Sequence, residues 1–253
     1  MKAQDIIGRA LAEERRYLYE DEIKDMLAAA GIPATPCRVA ADEEEAVSIA
    51  GQIGYPVVLK VRSTAIQHKS DLGGVILNLG DAGQVRRAYR EILDRAKAVD
   101  PAAGVTVQTM APPGREVIVG VTTDRQFGPV VMCGLGGVFT EILKDVSFRL
   151  IPLTEAHARD MIRSLQGYRL LAGYRGAPPA DEGALVDILL KVSRLVENEP
   201  RIRELDLNPV ALYPQGALVL DARMVLGYLR ECGGQPRKPS PVYPPGALIW
   251  QMR

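Results

Sequence analysis

Short aliphatic runs of strand length recur along the chain, and several follow one another through tight turns. They are PVVLKV (56–61), GVILNL (74–79), VTVQTM (105–110), EVIVGVT (116–122) and PVVMCGL (129–135). A last pair, LNPVAL and ALVLDA, flanks Tyr213-Pro214-Gln215-Gly216. Aliphatic runs bounded by Gly, Pro, Asn or Asp read as strands. Strands joined by tight turns pair antiparallel. Helical patterns lie between them. Residues 17–30 carry helical apolar spacing and stop at Gly31. Asp42 with Glu45, and Asp81 with Gln84, are helix-start pairs. Residues 181–197 are amphipathic with a period near 3.6, and a shorter helix follows Thr154. Strands and helices mixed in this way predict an α+β fold rather than a repeating βαβ one. A soft boundary near Pro101 divides the chain into 1–104 and 105–230, leaving a Pro/Gly-rich tail at 231–253.

Composition narrows the function classes. Lys plus Arg equals Asp plus Glu at 31 each, so nucleic acid and anionic membrane have no electrostatic support as partners. Apolar residues at 47% suffice for a buried core without crosslinks. Cys37, Cys133 and Cys232 are too scattered for a disulfide framework or zinc site, which points to a reducing compartment and a cytoplasmic protein. No apolar run reaches membrane-spanning length. Phosphate-loop, H-E-x-x-H and G-x-S-x-G patterns are absent. Two histidines, His68 and His157, exclude a multi-histidine metal site.

A few residues look chemical. Lys60 interrupts the apolar run PVVLKV, so its ammonium either snorkels to water or meets a counter-charge or phosphate. His68 lies in Gln67-His68-Lys69-Ser70-Asp71-Leu72-Gly73-Gly74, a polar loop closed by glycines. It is either a surface residue or an imidazole that accepts a phosphoryl group, with Lys69 and backbone N–H groups steadying the phosphate oxygens. If Tyr213–Gly216 is a four-residue loop, the hairpin sets Asn208 opposite Asp221, and Asp206 shares the face of Asn208. Such an oxygen-rich face is either simply solvated or a place for magnesium. Glu116 opens EVIVGVT, as a surface carboxylate or a ribose-hydroxyl acceptor. Gly136 and Gly137 end a glycine cluster suited to close backbone approach, to a ligand or to the sheet. Asp145 and Arg149 read as a surface ion pair, and His157 as a surface helical residue.

GYPVVLKV, IQHKSDLGGV, GREVIVGVTTDRQFGPVVMCGLGGVFTEILKDVSFRLIPL and ELDLNPV with LDAR, taken in order, resemble the ATP-grasp subunit of ADP-forming acyl-CoA synthetases. Succinyl-CoA synthetase beta subunits are more distant relatives of that family. The resemblance runs from about residue 17 to about 226. It implies an ATP-grasp fold, in which two α+β subdomains clasp a nucleotide, and ATP/ADP and Mg2+ as cofactors. The implied reaction is acid, CoA and ATP giving acyl-CoA, ADP and phosphate, reversibly. By the same resemblance His68 is a phosphohistidine relay and Asp206 lies near it. Lys60 contacts nucleotide phosphates, Glu116 the ribose, and Asn208 and Asp221 hold the metal. Gly73, Gly74, Gly136 and Gly137 belong to loops that close on the ligand.

No dinucleotide fingerprint is present, so the family's CoA-binding module, an alpha subunit with its own phosphohistidine, is implied as a separate partner in an α2β2 hetero-oligomer. One departure stands out. Ser63-Thr64-Ala65-Ile66 lacks the proline and acidic residue that the family carries before the histidine, which implies a looser loop. Two other readings compete: an ATP-grasp carboxylate–amine ligase, and a non-catalytic regulatory nucleotide-binding subunit.

Overall fold

The computed structural model describes residues 3–66, 68–124, 126–137 and 145–227. The expected tail at 231–253, Cys232 and Thr140-Glu141 lie outside the described residues. Two antiparallel sheets organise the rest. The smaller contains β1 (Cys37–Ala40), β2 (Val57–Arg62), β3 (Val75–Leu79) and β4 (Gly104–Thr109), in the order β1-β4-β2-β3. The larger contains β5 (Arg115–Asp124), β6 (Gly128–Leu135), β7 (Val146–Leu150), β8 (Ile202–Leu212), β9 (Ala217–Val219) and β10 (Ala222–Leu226). Its order is β10-β8-β5-β6-β7, with β9 continuing beside β8.

Each sheet buries one face under helices, as strand alternation requires. Val57, Leu59, Val61, Val105 and Val107 of the small sheet pack against α3 (Glu43–Ile53) and α4 (Ala82–Ala96). The two expected start signals are both used: Asp42 accepts the Glu45 N–H and Asp81 the Gln84 N–H. In the large sheet Val117, Val119, Val121, Leu205, Leu207 and Val210 pack against α5 (Glu155–Arg163) and α7 (Glu182–Asn198). A short helix, α6 (Tyr168–Ala172), lies between those two.

The expected division at 104/105 does not match the packing. Gly104 begins β4, which pairs with β2 along its length, so the small sheet claims the chain to Thr109. The first 35 residues go the other way. Ile6, Ile7 and Ala10 of α1 (Ala3–Ala12), and Ile23, Met26 and Leu27 of α2 (Glu20–Ala29), join the large-sheet core. The helix expected from residue 17 starts at Glu20 because Tyr17 bridges Val225 and the Leu18 N–H reaches the Met224 carbonyl. Thus α2 belongs to the large lobe while its first turn faces the small sheet. No helix among the described residues is long and apolar enough to cross a membrane.

Candidate functional site

Lys60 points away from the small sheet's hydrophobic core, because Leu59 and Val61 on either side of it fill that core. On the other face it meets α2 and the chain leaving β9. The Lys60 ammonium donates to Glu20 Oε1 at 2.8 Å, to the Leu220 carbonyl at 2.9 Å and to Asp221 Oδ1 at 2.9 Å. Lys69 donates to Glu20 Oε2 and, at 2.7 Å, to the same Asp221 oxygen. Lys24 pairs with Glu20 at 2.8 Å and donates to Thr35 Oγ1 and Gln108 Oε1 at 2.6 Å each. Gln108 Nε2 completes the cluster on Glu20 Oε1 at 2.9 Å. Beside it, Arg62 pairs with Asp21 through two hydrogen bonds and stacks on the Tyr19 ring, 3.6 Å from its centroid. These contacts tie the small sheet to α2 and the large lobe.

Electrostatics follow from that crowding. Burial works to raise the Glu20 carboxyl, but Lys60, Lys69 and Lys24 outweigh it and hold it well below the usual carboxylate range. Burial works to lower the Lys60 ammonium, and Asp221 and Glu20 reverse the sign and raise it. For Lys24 burial prevails, opposed by Glu20 and reinforced by Lys60, and the net direction is down.

His68 is exposed and one residue from Lys69. The end of its loop is tightly closed. The Gly74 N–H reaches the Lys69 carbonyl at 2.7 Å, and the Val61 N–H reaches the Gly74 carbonyl at 2.7 Å. Gly73 sits at φ +64°, and a Cβ on Gly74 would lie 2.6 Å from Val61 Cγ1. The loop's other end is not loose despite its altered sequence. Ser63 Oγ accepts the Ala65 and Ile66 N–H groups and donates to Asp100 at 2.6 Å. Ser63 thereby ties the start of the loop to Asp100, ahead of β4.

The hairpin register follows the count from its turn: Leu212 pairs with Ala217 and Val210 with Val219. The Asn208 N–H donates to the Asp221 carbonyl at 3.2 Å, so these two residues oppose each other where β9 gives way to β10. Asp206 pairs with Gly120 of β5 and Arg223 of β10. Leu205 and Leu207 enter the core, so Asp206 and Asn208 take the opposite, cleft-side face. A cavity of about 40 Å3 there is lined by Glu20, Thr64, Lys69, Glu204, Asp206 and Arg223, among others. Glu204 Oε2 is the one buried side-chain polar atom without a partner among the described residues. Burial, opposed by Arg223 and reinforced by Asp221 and Glu204, raises the Asp206 carboxyl to about 6.

That shift makes a pH-dependent prediction. A carboxyl raised in the fold contributes stability below its unfolded value, and this is lost as pH climbs through about 6. Asp206→Asn removes the ionisation. In metal-free buffer its unfolding free energy should gain on wild type between pH 4 and pH 7, by about 3 kcal/mol at most. Chemical denaturation at several pH values checks this, and a gap independent of pH contradicts it.

Glu116, Gly136 and Gly137 form a second group. The Gly136 N–H donates to the Glu116 carbonyl at 2.7 Å, and Gly137 takes φ +64°. A Cβ on Gly136 would sit 2.7–2.8 Å from Glu116 Cβ, C and O. Gly136→Ala should therefore destabilise the fold by roughly 1–3 kcal/mol, as overpacking against backbone does. An unchanged denaturation midpoint would show that this contact is slack. Glu116 lies four residues along β5 from Gly120, roughly 13 Å at strand rise.

Some expectations move. Asp145 and Arg149 do not pair. Asp145 is buried and accepts the Gln166 and Gly167 N–H groups at the start of α6, whereas Arg149 pairs with Asp160. His157 is exposed on α5 as expected. Burial raises the Cys37 thiol to about 11 and that of Cys133 to about 12, so neither is a thiolate at neutral pH.

Two α+β lobes meeting over a strand-borne lysine, a loop lysine and hairpin carboxylates define a protein of the ATP-grasp class, and the sequence profile of the ATP-grasp domain matches residues 9–226. The chain belongs to that family and, within it, to the beta subunits of ADP-forming acetate–CoA ligases. It is 50% identical over 228 residues to the beta subunit of acetate–CoA ligase (ADP-forming) I of Pyrococcus furiosus, covering 89% of this chain and 98% of that one. Among solved structures it resembles the dinucleotide-forming acetyl-coenzyme A synthetase 1 of Ca. Korarchaeum cryptofilum in complex with coenzyme A, Ca-AMPCP and HgCl+. The TM-score is 0.86 at 47% identity, over 89% of this chain and 100% of that chain. A second structure of that enzyme, with coenzyme A and Mg-AMPPCP, has its phosphohistidine segment pointing towards the nucleotide-binding site. There the TM-score is 0.79 at 45% identity, with the same coverage.

Proposed function

We propose that this chain is the nucleotide-binding subunit of an ADP-forming acyl-CoA synthetase. It moves phosphate between a histidine and ADP while acid, CoA and ATP interconvert with acyl-CoA, ADP and phosphate. The observation that carries the reading is the meeting of Lys60, Lys69 and Asp221, one residue from the exposed His68. Phosphoryl transfer needs cationic groups on the phosphate oxygens and a nucleophile aligned with them.

In this reading Glu116 accepts the ribose hydroxyls, and Gly136 and Gly137 let backbone approach the nucleotide. Lys60 holds its phosphates. A phosphoryl group passes from the phosphohistidine of the partner subunit to an imidazole nitrogen of His68, the partner's N–P bond breaking as the new one forms. A β-phosphate oxygen of ADP attacks the phosphorus, the N–P bond breaks, and His68 is left as neutral imidazole. Asp206 lies on the same cleft and steadies the histidine. Closure of the loops at Gly73-Gly74 and Gly136-Gly137 keeps water from the phosphohistidine.

Magnesium fits the donor set. Among the described residues no three acidic, histidine or cysteine side chains are arranged to hold a metal by themselves. Magnesium commonly takes one or two carboxylates and completes its shell with water and substrate phosphates. Asp221 and Asn208 would hold it, beside an Asp206 whose carboxyl is raised chiefly by burial, with Asp221 and Glu204 adding to the shift against Arg223. When bound it would neutralise phosphate charge.

We infer that its partner is a CoA-binding alpha subunit carrying its own phosphohistidine, because relatives matched over 98% of their length are beta subunits. We infer an α2β2 assembly working in the cytoplasm. The test is reconstitution. The chain with that partner should make ATP from acyl-CoA, ADP, phosphate and Mg2+, and each subunit alone should make none. Turnover by the chain alone with an amine acceptor would instead favour a carboxylate–amine ligase. Nucleotide binding without turnover under either condition would favour a regulatory subunit.

A further inference from the structure

Glu20 has no part in the roles assigned above, yet it is the most heavily engaged carboxylate of the cleft. It is 8% exposed. Its two oxygens divide their work. Oε1 takes Lys60, Lys24 and Gln108 within 2.8–2.9 Å, and Oε2 takes Lys69. Lys60 comes from the small sheet and Lys69 from the loop that carries His68, so one carboxylate sets the spacing between them. Glu20 is itself anchored elsewhere: Ile23, Met26 and Leu27 of its helix are buried in the large-lobe core. The Lys69 ammonium donates to Glu20 and Asp221, and Asp221 Oδ1 is already shared with Lys60.

We propose that Glu20 is a positioning residue for phosphoryl transfer: it holds Lys69, and through it the His68 loop, in register with Lys60 across the two lobes. The proposal rests on the transfer reading given above and adds to it the residue that aligns the two lysines.

Charge makes the role separable from simple structural support. Lys24, Lys60 and Lys69 face Glu20 and Asp221, which leaves one positive charge in the cluster. Glu20→Gln preserves shape and leaves two. The variant should therefore attract phosphate at least as well as wild type while losing the alignment of Lys69 with Lys60. Misplacement by about 1 Å costs on the order of 100-fold in rate. Glu20→Asp keeps the charge on a shorter arm.

The experiment uses the chain with its CoA-binding partner. It measures acid-labile phosphate on His68 from γ-labelled ATP in a rapid-quench series, ADP affinity by calorimetry, and melting temperature. For Glu20→Gln we expect transfer slowed roughly 10–100-fold, with an ADP dissociation constant equal to wild type or lower. Glu20→Asp should recover part of the rate. A Glu20→Gln rate equal to wild type overturns the proposal. So does a parallel fall in rate, ADP affinity and melting temperature with no recovery in Glu20→Asp, which describes a structural residue only. Failure of the transfer reading itself is visible separately, as a wild-type chain that takes no label before any substitution, and it removes the proposal too.

Discussion

Replacing His68 by alanine should leave the chain folded and able to bind ADP but unable to pass phosphate. The imidazole is exposed, and exposed substitutions away from packed features usually change stability by less than about 0.5 kcal/mol. Lys60, Asp221 and Glu116 remain in place, so the ADP dissociation constant should stay within about twofold of wild type. Turnover with the partner subunit should fall by at least ~1,000-fold, because among the described residues no other imidazole lies beside Lys69. Calorimetry and coupled ATP formation measure the two halves. Substantial turnover by the variant would mean that phosphate reaches ADP without this residue.

Lys60→Met should damage both fold and binding. The side chain is buried, and its removal leaves Asp221 with Lys69 and the Leu220 carbonyl without this donor. Breaking a buried ion pair from one side costs about 3–5 kcal/mol. Glu20 keeps Lys24, Lys69 and Gln108, which puts the expected loss near the lower figure. On the proposed role, nucleotide affinity should lose a charge-assisted hydrogen bond of about 1.5–3 kcal/mol, or roughly 10–150-fold. Denaturant unfolding and calorimetry check the pair. A stable variant with unchanged ADP affinity would make Lys60 a bystander.

The hairpin was legible in the sequence because the length of its turn sets the register for every pair beyond it. Asn208 opposite Asp221 needed only counting outward from Tyr213–Gly216. Lys60 was legible for a different reason: an ammonium inside an aliphatic strand needs an answer wherever it points. Helix starts at Asp42 and Asp81 were local chemistry. Glu20 was not legible. An acid in the first turn of a helix is ordinary, since it complements the helix dipole at the surface. Only the pairing of residues 16–18 with β10 turns that first turn inward, and such a contact is invisible to local pattern. Arg223 carried a faint signal, being two residues past Asp221 on the same face. Asp145 misled because Arg149 lies one strand-length away, whereas its real partners are backbone N–H groups some twenty residues on. The division at 104/105 missed because the end of a helix near Pro101 marks a loop, and sheet pairing decides which lobe owns β4.

The most direct test is to find the phosphate. The chain, with its CoA-binding partner, is incubated with Mg2+ and γ-labelled ATP, quenched in alkali and digested, and the acid-labile, alkali-stable phosphopeptides are mapped by mass spectrometry. Phosphate on an imidazole nitrogen of His68, lost in His68→Ala and discharged by added ADP, is the predicted result. A wild-type chain that binds nucleotide yet carries no phosphate on His68 would contradict the account at its centre.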